Sequence, residues 1–304
     1  MTWRVQLPQG NIRRVDLLMG ARNVVAVWTK SDHIHFYDQR NGGNLGERVV
    51  EKLASTDRTQ ERWRTFVSGL KAPNDLLLPF VRLPGMSLFA SEDGRLRLYQ
   101  PSDHELSLEV SEKEAPLTLD DGIRIIAVDL DRALGLIALL SADGKLHIYQ
   151  QRVRVGSYDT GLQLKGEFSP TLFVPQNGKR IIISDGQQVA SFDATGKIQQ
   201  RLELHYPPGL LAASPDGAYI VTTDAETGVV RVHSGDTLAP THQRFAIDLA
   251  ADARRINPAA GAQPATVTPN ALAISNRGVL AFGLAGLLCV STIHKMRAVP
   301  VSIV

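Results

Sequence analysis

One short pattern recurs six times along the 304 residues of the chain. A small or polar residue leads into an Asp/Gly turn, and alternating apolar residues then run toward an aromatic. It reads Ser31-Asp32-His33-Ile34-His35-Phe36-Tyr37-Asp38, then Ser91-Glu92-Asp93-Gly94-Arg95-Leu96-Arg97-Leu98-Tyr99-Gln100, then Ser141-Ala142-Asp143-Gly144-Lys145-Leu146-His147-Ile148-Tyr149-Gln150. Weaker copies start at Ser184-Asp185-Gly186, Glu226-Thr227-Gly228 and Leu284-Ala285-Gly286. From Asp32 through Gly94, Gly144, Gly186, Gly228 and Gly286 the intervals are 62, 50, 42, 42 and 58 residues. A period near 40 residues marks stacked copies of one supersecondary unit, none of which can bury its apolar face alone. The longer intervals hold a unit plus an insertion.

Each copy carries the signals of antiparallel hairpins. An apolar strand precedes the turn (Val24–Val27, Met86–Ala90, Leu136–Leu140, Tyr219–Thr223, Val279–Phe282), and a strand of period two follows it. Alternation punctuated by turn residues is the signature of strands. The Gly186 copy has one extra residue after its glycine, expected as a β-bulge. A second turn lies upstream, as in Gln176-Asn177-Gly178, Ser214-Pro215-Asp216-Gly217 and Ser275-Asn276-Arg277-Gly278. Before these turns come the apolar runs Leu76–Val81, Ile123–Val128, Leu210–Ala213 and Ala271–Ile274. They read as innermost strands buried on both faces, for which alternation is not required.

Four strands per unit, repeated in this way, resemble the WD40-like β-propellers over nearly the whole chain. The family's Trp-Asp pair at the end of the third strand corresponds to Tyr37-Asp38, Tyr99-Gln100, Tyr149-Gln150 and Phe192-Asp193, with His233-Ser234 and Val290-Ser291 in the last copies. The family's Gly-His pair is absent from the expected places. The expectation is an all-β fold, a β-propeller of six, alternatively seven, four-stranded blades with one short helical insertion. The resemblance implies a rigid disc that serves as an interaction platform, and implies no chemistry. The spare strand Trp3–Leu7 either begins a seventh blade or closes the ring by pairing with Ala298–Ile303.

A propeller of this length is one domain, spanning 1–304. A hydrophobic fraction of 43% and a charged fraction of 21% are those of a globular protein. The net charge of +2 gives no concentrated cationic excess to attract nucleic acid or a membrane surface. Cys289 is the one cysteine and lies in an apolar strand, so a buried, inert thiol is expected. The amino terminus has no signal-peptide pattern, and no apolar run is long enough to span a bilayer, so a cytoplasmic protein is expected.

Two insertions interrupt the repeat. Between the first and second copies, residues 55–71 place Trp63, Phe66, Val67 and Leu70 at helical spacing, with Asp57 and Gln60 as a capping box and Pro73 as the stop. Arg58, Arg62 and Arg64 lie on the opposite face. Residues 250–268 are expected to form an Ala/Pro-rich loop, too poor in large apolar residues to build a core, with Arg254-Arg255 near its start. Arginine with aromatics is the composition of interface hot spots, and long loops on rigid scaffolds carry specificity. The candidate partner-binding residues are therefore Arg58, Arg62, Trp63, Phe66, Arg254 and Arg255. The expected partners are other protein subunits.

Motifs for chemistry are missing. There is no zinc-binding His or Cys pattern, no calcium loop, no phosphate loop and no nucleophile elbow, so no catalytic residue, metal or cofactor is assigned. His33 and His35 share a strand face without a third ligand nearby in sequence. Their column also holds Arg97, His147 and Arg231, and reads as solvated or groove-facing. Two alternatives to the scaffold reading remain. Asn74-Asp75, Asp120-Asp121 and Asn270 precede innermost strands, as in metal-dependent lactonase-like propellers. Convergence of Arg58, Arg62, Arg64, Arg254 and Arg255 on one face would instead suit a weak nucleic-acid-binding accessory subunit.

Overall fold

The computed structural model describes residues 2–7, 12–18, 23–30, 33–49, 125–131, 136–150, 153–162, 164, 170–175, 178–256 and 267–299, with short strands at 81–83, 86–90, 96–99, 105–106 and 117–118. These residues form the antiparallel blades of a β-propeller. Three blades consist of four consecutive strands paired in chain order, over 12–49, 125–159 and 171–203. A fourth, over 208–245, has the same four strands plus a fifth from the carboxy-terminal region. The strands at 81–83, 86–90 and 96–99 form a three-stranded sheet, and those at 105–106 and 117–118 a pair.

The blade over 271–292 supplies only three strands of its own. Its fourth is Trp3–Gln6, antiparallel to Leu287–Thr292 with Trp3 opposite Val290 and Gln6 opposite Leu287. The amino-terminal strand therefore begins no blade of its own. Among the described residues it does not pair with the carboxy-terminal segment either: Arg297–Ala298 pairs instead with Pro240–Phe245. The reason lies in burial. Trp3, Val5 and Leu7 put their apolar face into the core between this blade and the 12–49 blade. The Trp3 ring is fully buried, donates from Nε1 to the Gln39 carbonyl at 2.9 Å, and meets Tyr37 at 5.9 Å between centroids.

Blades stack face to face through apolar cores. Leu140, Leu146, Ile148, Ile181 and Phe192 fill the space between the 125–159 and 171–203 blades. Ile182, Val189, Ile220 and Leu238 join the 171–203 and 208–245 blades. Val221, Val230, Val232, Leu280, Phe282 and Leu284 join the 208–245 and 271–292 blades. Hydrogen bonds tie the same neighbours: Val174 N–H donates to Asp129 at 2.6 Å, Asp216 N–H to the Asn276 side chain at 2.9 Å, and Asn270 Nδ2 to the Ile12 carbonyl at 2.6 Å. Apolar burial at about 25 cal/mol per Å² supplies the adhesion, and these bonds set the registration between blades.

Two expectations are corrected by burial and register. The second strands, not the innermost, are the buried ones: Val24–Thr29 and Leu136–Ser141 are buried throughout, whereas Pro208–Ala213 and Thr171–Phe173 are mostly half-buried. A second strand has a strand on each side and a blade on each face, while a first strand is an edge. The extra residue after Gly186 makes no bulge, because Ile181–Ser184 and Gln188–Phe192 keep one register and the turn absorbs it. A bulge recurs elsewhere, between third and fourth strands at Phe36/Tyr37, Ile148/Tyr149, Ser191/Phe192 and Val232/His233. Bulges add local twist at the point where each fourth strand turns back. The Trp3–Gln6 strand arrives from the other end of the chain without such a turn, and pairs without a bulge.

Candidate interaction surface

Arg58, Arg62, Trp63 and Phe66, with the whole 55–71 insertion, lie outside the described residues, as do Asn74, Asp75, Asp120 and Asp121. Arg254 and Arg255 are described. They form a two-residue strand parallel to Trp3–Gln6, with Trp3 opposite Arg254 and Arg4 opposite Arg255, and both are exposed. The stretch expected to be loop from Ala250 thus starts in regular structure. Ala246–Asp252 is a helix whose Ala246, Leu249 and Ala250 are buried in the core between the last two blades. One leucine and several alanines suffice, because a surface already apolar waits beneath them.

The segment is anchored at both ends. Ala246 N–H donates to the Gly228 carbonyl at 3.0 Å. Gly228 has φ +69, and a Cβ there would come within 2.2 Å of the Val267 carbonyl oxygen, so only glycine lets the two segments meet. At the far end Arg4 Nη1 donates to the Ala250 carbonyl at 2.7 Å, and Ile256 N–H donates to the Arg4 carbonyl at 2.9 Å. The outer side carries Phe245, Ile247 and Val267, each more than a third exposed, on segments that meet around Gly228. Large apolar side chains clustered at a surface mark contact sites.

The buried histidines among the described residues are engaged within the fold. The column expected to be solvated or groove-facing is buried at His35 and His147. His147 sits between Ser141 Oγ at 2.9 Å and Ser157 Oγ at 2.6 Å. His33 and His35 both meet the Glu47 carboxylate, across the strand pair, and burial pushes His35 below the usual imidazole range against the pull of Glu47. His233 pairs with Thr222 Oγ1 at 2.9 Å and the Leu238 carbonyl at 3.1 Å, and burial lowers it to about 4. The missed signal was the β-strand facing rule: a polar residue in the third strand points into the gap between blades, where burial follows and partners are required.

Cys289 is buried as expected, and desolvation raises its thiol to about 12. Asn270, the described member of the lactonase-like set, spends its amide nitrogen on the neighbouring blade, and the Asp16 carboxylate on a first strand is taken by Arg14 Nε at 2.9 and 3.0 Å. No group of three metal-ligating side chains is arranged to hold an ion among the described residues, and no helix among them is long and apolar enough to cross a membrane.

No family model and no curated protein matches the sequence. Among solved structures, the chain is similar to the computationally designed Ika8 protein, at TM-score 0.53 and 13% identity over 95% of this chain and 99% of that one. It is also similar to the Cps50 (Swd1) β-propeller domain of Myceliophteria thermophila, at TM-score 0.47 and 10% identity over 92% and 82% of the two chains. A chain of the Mitotic Checkpoint Complex gives TM-score 0.43 and 10% identity over 89% and 73%. Such identities bear on fold alone, and the blade pairing described above is what carries the propeller architecture.

Proposed function

We propose that this WD40-like propeller is a non-catalytic protein-interaction scaffold, a subunit that holds partners within a larger assembly. The observation that carries the reading is a division of labour among side chains. His35, His147, His233 and Cys289 are buried within and between blades, with the three imidazoles bonded to neighbouring strand groups, while the 245–256 segment presents Phe245, Ile247, Arg254 and Arg255 outward. A rigid disc with an exposed apolar and arginine-bearing rim is suited to binding proteins. On sequence grounds the 55–71 insertion, with Arg58, Arg62, Trp63 and Phe66, is a second contact element.

The test is a tagged pull-down from the native host with quantitative mass spectrometry, run beside the Trp63→Ala/Phe66→Ala variant after its fold is checked by circular dichroism. The proposal expects a stoichiometric protein partner with the wild type and its loss with the variant. A wild type that retains no stoichiometric protein would overturn it.

A further inference from the structure

Resting on that reading, we infer that the rim formed by residues 244–256 and 293–299 docks an acidic segment of another protein that also carries apolar side chains. The two stretches are brought together by Arg244. Its Nη1 donates to the Lys295 carbonyl at 2.7 Å and its Nη2 to Asp252 Oδ2 at 2.5 Å. Arg254 and Arg255 follow directly on the carboxy-terminal side of the helix, and Arg297 follows Lys295 along the edge of the 208–245 blade. Five cations thus stand against two carboxylates, Asp248 and Asp252, a surplus of three on one rim in a chain whose net charge is +2. The adjoining segments 257–266 and 300–304 contain no charged residue to offset it.

Arg254, Arg255, Lys295 and Arg297 make no ion pair with the described residues, and all four are exposed. Among the described residues Arg254 Nη2 donates only to the Asn41 carbonyl, at 3.4 Å, and guanidinium groups without an ion pair favour carboxylates, which they bind through two parallel hydrogen bonds. Among the cations lies an apolar component: Phe245 is 48% exposed and Ile247 37% exposed. The mixture decides between the two polyanions that a basic rim attracts. A nucleic-acid backbone brings uniform negative charge, which the exposed Asp248 repels, and an aliphatic Ile247 offers no stacking surface for a base. A protein segment can set its carboxylates over the arginines and its apolar side chains over Phe245 and Ile247, clear of Asp248, while Asp252 stays paired with Arg244.

The probe is a fluorescein-labelled peptide, Asp-Asp-Phe-Glu-Glu-Leu-Asp-Asp, titrated by anisotropy with the full chain at low and physiological salt. Polyglutamate and single-stranded oligothymidylate serve as comparators. The inference expects the Arg254→Glu/Arg255→Glu/Arg297→Glu variant to weaken peptide binding by about tenfold or more, as expected when charge pairs across an interface become repulsive. The corresponding Arg→Lys variant keeps most of the affinity, and Ile247→Ser loses severalfold for the peptide but nothing for polyglutamate. Since these side chains are exposed, unchanged melting curves will show that the variants are folded.

Equal binding by wild type and reversal variant overturns the inference. So does polyglutamate binding as tightly as the peptide, or oligothymidylate binding more tightly than either. The same reversal variant in the native-host pull-down separates the two levels of the account. A stoichiometric partner kept by both proteins removes the rim and leaves the scaffold; no partner with the wild type removes the scaffold itself.

Discussion

The outer edges of the 208–245 and 271–292 blades are closed by added strands, while among the described residues those of the 125–159 and 171–203 blades are not. On the closed pair, Arg297–Ala298 lies along Pro240–Phe245, and Arg254–Arg255 lies along the amino-terminal strand. On the other pair, Val153–Asp159 and Ile198–Glu203 end their sheets, with Val153 70% exposed and Val155 and Ile198 also well exposed. A bare edge is a template for further strands, and proteins blunt it with charge or cover. The open edges here carry charge in sequence, with Arg154, Asp159, Arg201 and Glu203. The closed edges are covered by the chain itself, and the covering segments bring the arginines with them. Cover and basic rim are one feature.

The strongest challenge to this contrast is removal of the strand on which the cover rests. Trp3→Ala should cost about 3–5 kcal/mol, since it empties a fully buried site between two blades and drops the bond to Gln39. Chemical denaturation will read the loss; a change under about 1 kcal/mol would mean that the strand is not a structural member.

Acidification should act on the closed side through His233. Its folded pKa of about 4 lies below the unfolded value near 6.5, so the unfolded state binds the proton more readily. The stability due to this group is full above the unfolded value and is lost as pH falls toward 4. Between pH 7 and 5 the loss is roughly 2 kcal/mol, and His233→Gln should flatten that slope in denaturant melts.

Arg4→Met removes the donor to Ala250 and should cost about 1–3 kcal/mol. It should also raise amide exchange in 246–256 before any other segment. Val153→Lys/Val155→Lys should change stability by less than about 0.5 kcal/mol while lowering self-association measured by light scattering. An effect of the reverse order, large on stability and nil on association, would show that this edge is covered after all. The smallest effect is at Ala285, which has φ +55 in the two-residue turn between Leu284 and Leu287. Ala285→Gly should relieve it by about 0.5 kcal/mol.

How much of this could be read in the sequence follows from chain distance. Hairpins were legible because turn and strands are neighbours: Asp143-Gly144 and Asp216-Gly217 announce their own geometry. Trp3–Leu7 was legible as a strand from its alternation, but its partner lies more than 280 residues away and nothing local names it. Arg254-Arg255 was legible as a pair of cations and not as a strand, since two residues carry no period. The Ala246–Asp252 helix, seven residues long, is too short for a helical period to stand out. The burial of His35 and His147 was missed because the column contained arginines as well; only the packing of one blade on the next decides which members are dry.

The most direct test of the account is hydrogen–deuterium exchange on the full chain, alone and saturated with the acidic, apolar-containing peptide. The account predicts that the peptide adds protection at 244–256 and 293–299 and leaves the open edge at 153–159 unchanged. Protection confined to 153–159, or none at the basic rim, would contradict it.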